Sequence, residues 1–247
     1  MKKLLIFFAV LMIAASAHAE ENVMKFAYAD TSPPLSWLED GQMRGILIDI
    51  ADEAVGKRMG IAVSHEGYPW ERANHLVKKG SIDALITNGP LRKEWAEHGE
   101  EVAIMLERPV YVKAGSSKFE QIKKAKTLED LRPFRLIGER GSGWAKAHLV
   151  DKNFDVHLVA GMDMIYKMLA KGRVDANINV SHIARYHISQ LGLKDQIVEL
   201  PPVSPPLPFH LVVGKKSPFT KIIPRFDETI REMKKDGALE RIFDKYR

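Results

Sequence analysis

Leu76-Val77-Lys78-Lys79-Gly80-Ser81-Ile82-Asp83-Ala84-Leu85-Ile86 is echoed far downstream by Met168-Leu169-Ala170-Lys171-Gly172-Arg173-Val174-Asp175-Ala176-Asn177-Ile178. Each stretch reads as a helix end, a glycine at the left-handed C-cap position, and a strand that opens apolar-Asp-Ala. A helix-to-strand turn of this kind is common enough to recur by chance. The alternative is a chain built from two similar α/β lobes, each holding one copy.

Outward from these two stretches, period-2 apolar runs alternate with period-3.6 segments, the pattern of a mainly parallel α/β fold. Met24, Phe26 and Tyr28 alternate as a first strand. Ile46, Ile50, Ala54 and Met59 trace one face of a helix that Gly60 can end. Strands are expected at 61–64, 84–87, 134–137, 156–159, 174–178 and 209–213, with a helix at 70–79 and a last one over about 218–236. The Pro-rich stretch 201–208 reads as a stiff connector, because proline lacks the amide donor of a central strand. Open α/β sheets place ligands at the carboxyl ends of their strands, so two such lobes face to face make a cleft.

The bulk properties exclude several classes. Lys2 and Lys3, an apolar run from Leu4 to Ala15 and Ala17-His18-Ala19 read as a signal peptide cleaved after residue 19. No later stretch reads as a transmembrane helix, so the mature chain is expected to be soluble. With no cysteine there is no disulfide, thiol nucleophile or lipid-modified thiol. The net charge of +5 comes from basic residues interspersed with acids, and the dense run Lys123-Lys124-Ala125-Lys126 reads as a solvated helix face, so nucleic acid is not an expected partner. The nine histidines show no metal spacing; His182 and His187 fall about 140° apart on a helix. Gly138, Gly141 and Gly143 run in the wrong order for a dinucleotide fingerprint, and Gly214-Lys215-Lys216-Ser217 is no P-loop. Neither a metal nor a cofactor is expected.

Together the residues resemble the family 3 extracellular solute-binding proteins over nearly all of the mature chain. The resemblance is carried by Pro33-Pro34-Leu35-Ser36-Trp37, Asp40-Gly41, Gly45 to Ile50, Pro69-Trp70-Glu71-Arg72, Gly80 to Ala84 and Gly89-Pro90-Leu91-Arg92. Leu128 to Leu131, Gly172 to Ala176 and Asp236 to Phe243 complete it. It implies an α/β, two-lobed type II periplasmic binding protein fold, with two mixed, mostly parallel sheets joined by a two-crossing hinge. Lobe one would be 20–106 with 204–247, and lobe two 107–203. It also implies a monomer in the periplasm that binds a small carboxylate-bearing solute, an amino acid, a derivative or an organic acid, and presents it to an ABC permease.

The resemblance assigns site residues one by one. Arg92 matches the family arginine that pairs with a ligand carboxylate; a surface arginine at a helix start is the alternative. Trp70 matches a residue packed against the ligand, or fills the core. Arg72 adds a second cation or is a solvated helix residue. Gly89 stands where the family has threonine, leaving Thr87 and Asn88 to offer a hydroxyl and an amide. Ser142 and Gly143 belong to the second lobe's grip, since free amides at a helix start suit an anion. Val180, beside Asn179, stands where amino-acid binders carry the aspartate that holds the ligand ammonium, so the usual anchor for a free amino acid is missing. Two other functions stay open. One is a cyclohexadienyl dehydratase-type enzyme, with Glu139 or Glu71 as its acid. The other is a ligand-sensing subunit of a signalling system.

Overall fold

The computed structural model describes residues 23–246; the leader expected over 1–19 lies outside the described residues. Strand β1 (Val23–Ala29) turns Met24, Phe26 and Tyr28 into the core. A small antiparallel sheet follows, of β2 (Thr31–Ser32), β3 (Ser36–Glu39) and β4 (Gln42–Arg44). Helix α1 (Ile46–Ala51) runs on through wider turns over Asp52–Arg58 and ends at Gly60, whose φ is +68°. Then come β5 (Ala62–Tyr68), α2 (Trp70–Lys79), β6 (Ala84–Thr87), β7 (Ala96–His98) and β8 (Ile104–Leu106).

Here the chain crosses to a second sheet. Its elements are β9 (Val110–Lys113), α3 (Phe119–Ile122), β10 (Leu136–Glu139), α4 (Gly143–His148), β11 (Val156–Val159), α5 (Met162–Ala170), β12 (Ala176–Ile178), α6 (Ser181–Gln190) and β13 (Ile197–Leu200). The chain returns as β14 (Leu207–Gly214), then forms α7 (Ile223–Lys235) and α8 (Ala238–Asp244) against the first sheet. Ile50, Val55, Ile230 and Met233 lock that helical layer, each fully buried.

The sheet orders are β5-β1-β6-β14-β7, with β8 on β14, and β11-β10-β12-β9-β13. Each sheet is parallel through its first three strands and antiparallel beyond them. The antiparallel members include β8, β9, β13 and β14, the strands next to the crossings. This is the two-lobed fold with a two-crossing hinge.

The echo that opened the reading has one geometry in both lobes. The Asp83 amide donates to the Lys25 carbonyl at 3.0 Å, and the Lys25 amide donates to the Asp83 carboxylate at 2.8 Å. The Asp175 amide donates to the Arg135 carbonyl at 2.8 Å, and the Arg135 amide to the Asp175 carboxylate at 2.8 Å. Each aspartate thus clasps the loop before its strand to the neighbouring parallel strand. The recurrence is structural.

One expectation is corrected. The connector over 201–208 gives way to strand at Leu207, and Pro208 pairs with Met105 of β8. Proline is tolerated there because its carbonyl is still used, accepting from Asn88 Nδ2 at 3.1 Å.

Candidate functional site

The carboxyl ends of β1, β6, β10 and β12 converge on one cleft between the lobes, of about 970 Å³ with its mouth included. Ala29, Thr87, Glu139 and Ile178 end those strands on its wall, with Tyr28 beside Ala29. Tyr28 is held from behind: its hydroxyl bonds His65 Nδ1 at 3.0 Å, and His65 Nε2 bonds Asp52 at 2.9 Å.

Arg92 lies on the first-lobe wall in the turn after β6, only 5 % exposed. Its Nε donates to Asn74 Oδ1 and its Nη1 to the Asn88 carbonyl, both at 2.9 Å. Asn74 is fixed in turn by donating from Nδ2 to the Trp70 carbonyl at 2.7 Å. The centre of the Trp70 ring, at the opening of α2, lies 5.2 Å from the guanidinium carbon, within range of a cation–π contact. No hydrogen bond joins Nη2 to a described residue, and no described carboxylate pairs with the group. Burial lowers its pKa to about 10, which still leaves it charged at neutral pH.

From the second lobe, Ser142 caps α4 by accepting the Ala145 amide at 3.2 Å. The preceding Gly141 has φ +82°, and a Cβ there would stand 2.8 Å from the Glu71 backbone. Glycine is needed for both reasons, and the close approach brings α4 to within reach of Arg92: a Cβ on Gly143 would stand 3.6 Å from its Nη1.

Arg108 and Asn177, missed in the sequence, join Asn179 and Val180 on the wall. Arg108 sits in the crossing between β8 and β9, 6 % exposed, with its guanidinium 4.0 Å from the centre of the Trp144 ring. Its Nη2 donates to the Ile178 carbonyl at 2.9 Å, while its buried Nε has no acceptor. Burial lowers its pKa to about 10. Asn177 donates to the Ile137 carbonyl at 2.8 Å and leaves its buried Oδ1 without a donor. Asn179 reaches back to the Tyr166 hydroxyl at 3.0 Å, and Val180 presents a buried isopropyl group to the cleft.

Of the expected site residues, Arg92, Trp70, Thr87, Asn88, Ser142, Gly143, Asn179 and Val180 come together here. Arg72 and Gly89 do not line the cleft. Arg72 is two residues past Trp70 on α2, about 200° round the helix, and lies exposed over the Tyr68 ring at 5.2 Å. At Gly89 a Cβ would collide with the His98 ring, so the space a side chain would use is filled. Glu71, the other candidate acid, is exposed and does not line the cleft either. Among the described residues no group of three metal-ligating side chains forms.

The model of the bacterial extracellular solute-binding proteins, family 3, matches residues 24–247. The chain belongs to that family. A relative is the probable amino-acid-binding protein YxeM of Bacillus subtilis (strain 168), 23 % identical over 239 residues, covering 94 % of this chain and 86 % of that one. Among solved structures, a histidine kinase sensor domain with similarity to periplasmic binding proteins superposes with a TM-score of 0.77 at 19 % identity. That match covers 92 % of this chain and 96 % of the other. An ancestral arginine-binding protein bound to arginine superposes with a TM-score of 0.72 at 22 % identity, over 91 % and 98 %.

In this solute-binding protein the carboxyl group among the cleft-lining side chains is that of Glu139. Burial, and then the negative charge of Asp30, push its pKa up from 4.5 to about 7. Below pH 4 the group is neutral in both folded and unfolded chains. Between about 4.5 and 7 the unfolded chain ionises while the folded one keeps its proton, so stability falls as pH rises through that window. Glu139→Gln is therefore expected to be as stable as the parent at pH 4 and more stable at pH 8, by about 1–3 kcal/mol. Urea unfolding at the two pH values checks this; an equal effect at both would show that the carboxyl's charge plays no part.

Proposed function

We propose that this protein captures a small carboxylate-bearing solute in the periplasm and presents it, as a closed monomeric complex, to an ABC permease. Its moving bodies are residues 20–106 with 204–247, and 107–203. The observation that carries the reading is Arg92: a buried guanidinium on the wall of a cleft, oriented by Asn74, Asn88 and Trp70, and unpaired with any described acid. A charge held this way without a counter-ion costs several kcal/mol, and a ligand carboxylate supplies the missing partner in bidentate geometry.

Contacts between the lobes support closure. His187 of α6 donates from Nε2 to the Thr31 carbonyl in the first lobe at 2.9 Å, and its Nδ1 lies 2.8 Å from Asp163 of α5. Gly141 against Glu71 adds a second contact. Both break when the lobes part, so a ligand touching both walls favours the closed form through its own added bonds. A thermal-shift screen of amino acids, dicarboxylates, short peptides and aromatic acids should find a ligand. At about 100 times its dissociation constant such a ligand adds about 2.7 kcal/mol. Small-angle scattering with that ligand should show a smaller radius of gyration than without it. Independent proof of binding with an unchanged radius would count against closure.

Glu139 favours a second reading, a dehydratase-type enzyme. A cleft carboxyl that holds its proton near neutral pH is what a general acid requires. Loss of substrate on incubation with the wild type, abolished in Glu139→Gln, would replace transport by turnover.

A further inference from the structure

The charged side chains lining the cleft are Arg92, Arg108 and Glu139. The two guanidiniums are 5 % and 6 % exposed, and neither has a carboxylate within ion-pair distance among the described residues. Their protein partners are neutral: Asn74 and the Asn88 carbonyl for Arg92, the Ile178 carbonyl for Arg108. Such dipoles orient a fork without neutralising it. Each guanidinium also lies against an indole, Trp70 for Arg92 and Trp144 for Arg108, at 5.2 and 4.0 Å. Those contacts offset part of the desolvation cost.

Glu139 does not cancel either charge. It lies outside ion-pair distance of both arginines, and with its pKa near 7 it keeps its proton in mildly acid solution, the condition of the test below. The cleft thus holds two like charges in one desolvated space, an arrangement that a monoanion only half relieves. Arg108 Nε marks the unanswered half, a buried donor with no acceptor at all. The remaining wall includes many apolar side chains, among them Leu47, Ile86, Leu91, Ile137, Val180 and Phe209. An ammonium placed among these would meet two cations, and the lining acid, Glu139, is mostly protonated in mildly acid solution.

We infer that the ligand is a dicarboxylate, one acid group on Arg92 and the other on Arg108, with an apolar body enclosed between the lobes. The inference rests on the cleft being the ligand site. Calorimetry at pH 6.5 on the mature chain tests it. The probes are unbranched α,ω-dicarboxylates of four to eight carbons and benzene dicarboxylates, each paired with its own monoamide, together with the common L-amino acids. At least one diacid is expected to bind about 10–100-fold tighter than its monoamide, the worth of one charge-assisted bond. In Arg108→Gln that preference should shrink to less than about threefold; in Arg108→Lys part of it should remain. Monocarboxylates or free amino acids binding as tightly as every diacid would overturn the dicarboxylate assignment and leave the carboxylate cleft standing. Binding of no carboxylate at all would sink both.

Discussion

Arg92→Ala is expected to weaken ligand binding by about 2–5 kcal/mol, a factor of roughly 30 to 5,000, with the fold intact. The size follows from burial. At 5 % exposure the guanidinium has already left water, so a carboxylate meeting it forms its bonds at low dielectric. Asn74, Asn88 and Trp70 hold the fork in place before the ligand arrives, which lowers the ordering cost of binding. The same burial predicts a second result that separates an anchor from a structural residue. Removing an uncompensated charge from the interior should leave the ligand-free protein as stable as before, or more stable. Arg92→Lys should recover only part of the affinity, because an ammonium cannot reproduce the two-pronged geometry. Calorimetry and thermal unfolding on the three proteins decide the matter. Near-wild-type affinity in the alanine variant, or a large loss of stability without ligand, would make Arg92 a packing residue.

How far the site was legible in the sequence follows from what each residue depends on. Arg92 and Trp70 were expected at the cleft from the resemblance, and both line it. Arg108 was not, since Glu107-Arg108-Pro109 reads as a solvated linker. Only the crossing between sheets, which buries the side chain beneath Trp144, makes it part of the wall. Arg72 was misplaced for a reason the sequence did contain: on a helix, a residue two positions from a cleft-facing Trp70 turns away. The proline connector ended early because β8, a strand absent from the sequence reading, offers Pro208 a partner that needs no amide. The fold itself was the most legible part. The Gly-x-apolar-Asp-Ala turn announces itself by a glycine cap and a strand opening, although the clasp its aspartate makes, to Lys25 or Arg135, is long-range.

Val180→Asp is expected to invert the specificity of the cleft. Val180 is 3 % exposed, lines the wall and caps the start of α6, and its amide is held by Asn179 Oδ1 at 2.8 Å. The segment 178–181 runs beside the crossing: Arg108 Nη2 bonds the Ile178 carbonyl, and the Ser181 amide donates to the Glu107 carbonyl at 3.1 Å. A carboxylate at position 180 therefore arrives next to a guanidinium that lacks a counter-ion. It also lands where a helix start favours acidic caps. Both effects should keep the variant folded despite the burial of a charge. The cost falls on the ligand. An introduced carboxylate that satisfies Arg108 repels a second acid group, so dicarboxylate affinity should drop about 30- to 1,000-fold. A free amino acid gains at the same stroke, because its ammonium would find the ion pair that the resemblance places at this position and that valine denies it. The check is a competition series on both proteins, pairing each amino acid with its N-acetyl and deaminated analogues. On the wild type the analogues should win, and on the variant the free amino acids should gain. Free amino acids winning on the wild type throughout would mean that the ammonium already has a partner. Glu139, ionised by the approach of a cation, would then be the residue holding it, and Glu139→Gln the variant in which that affinity disappears.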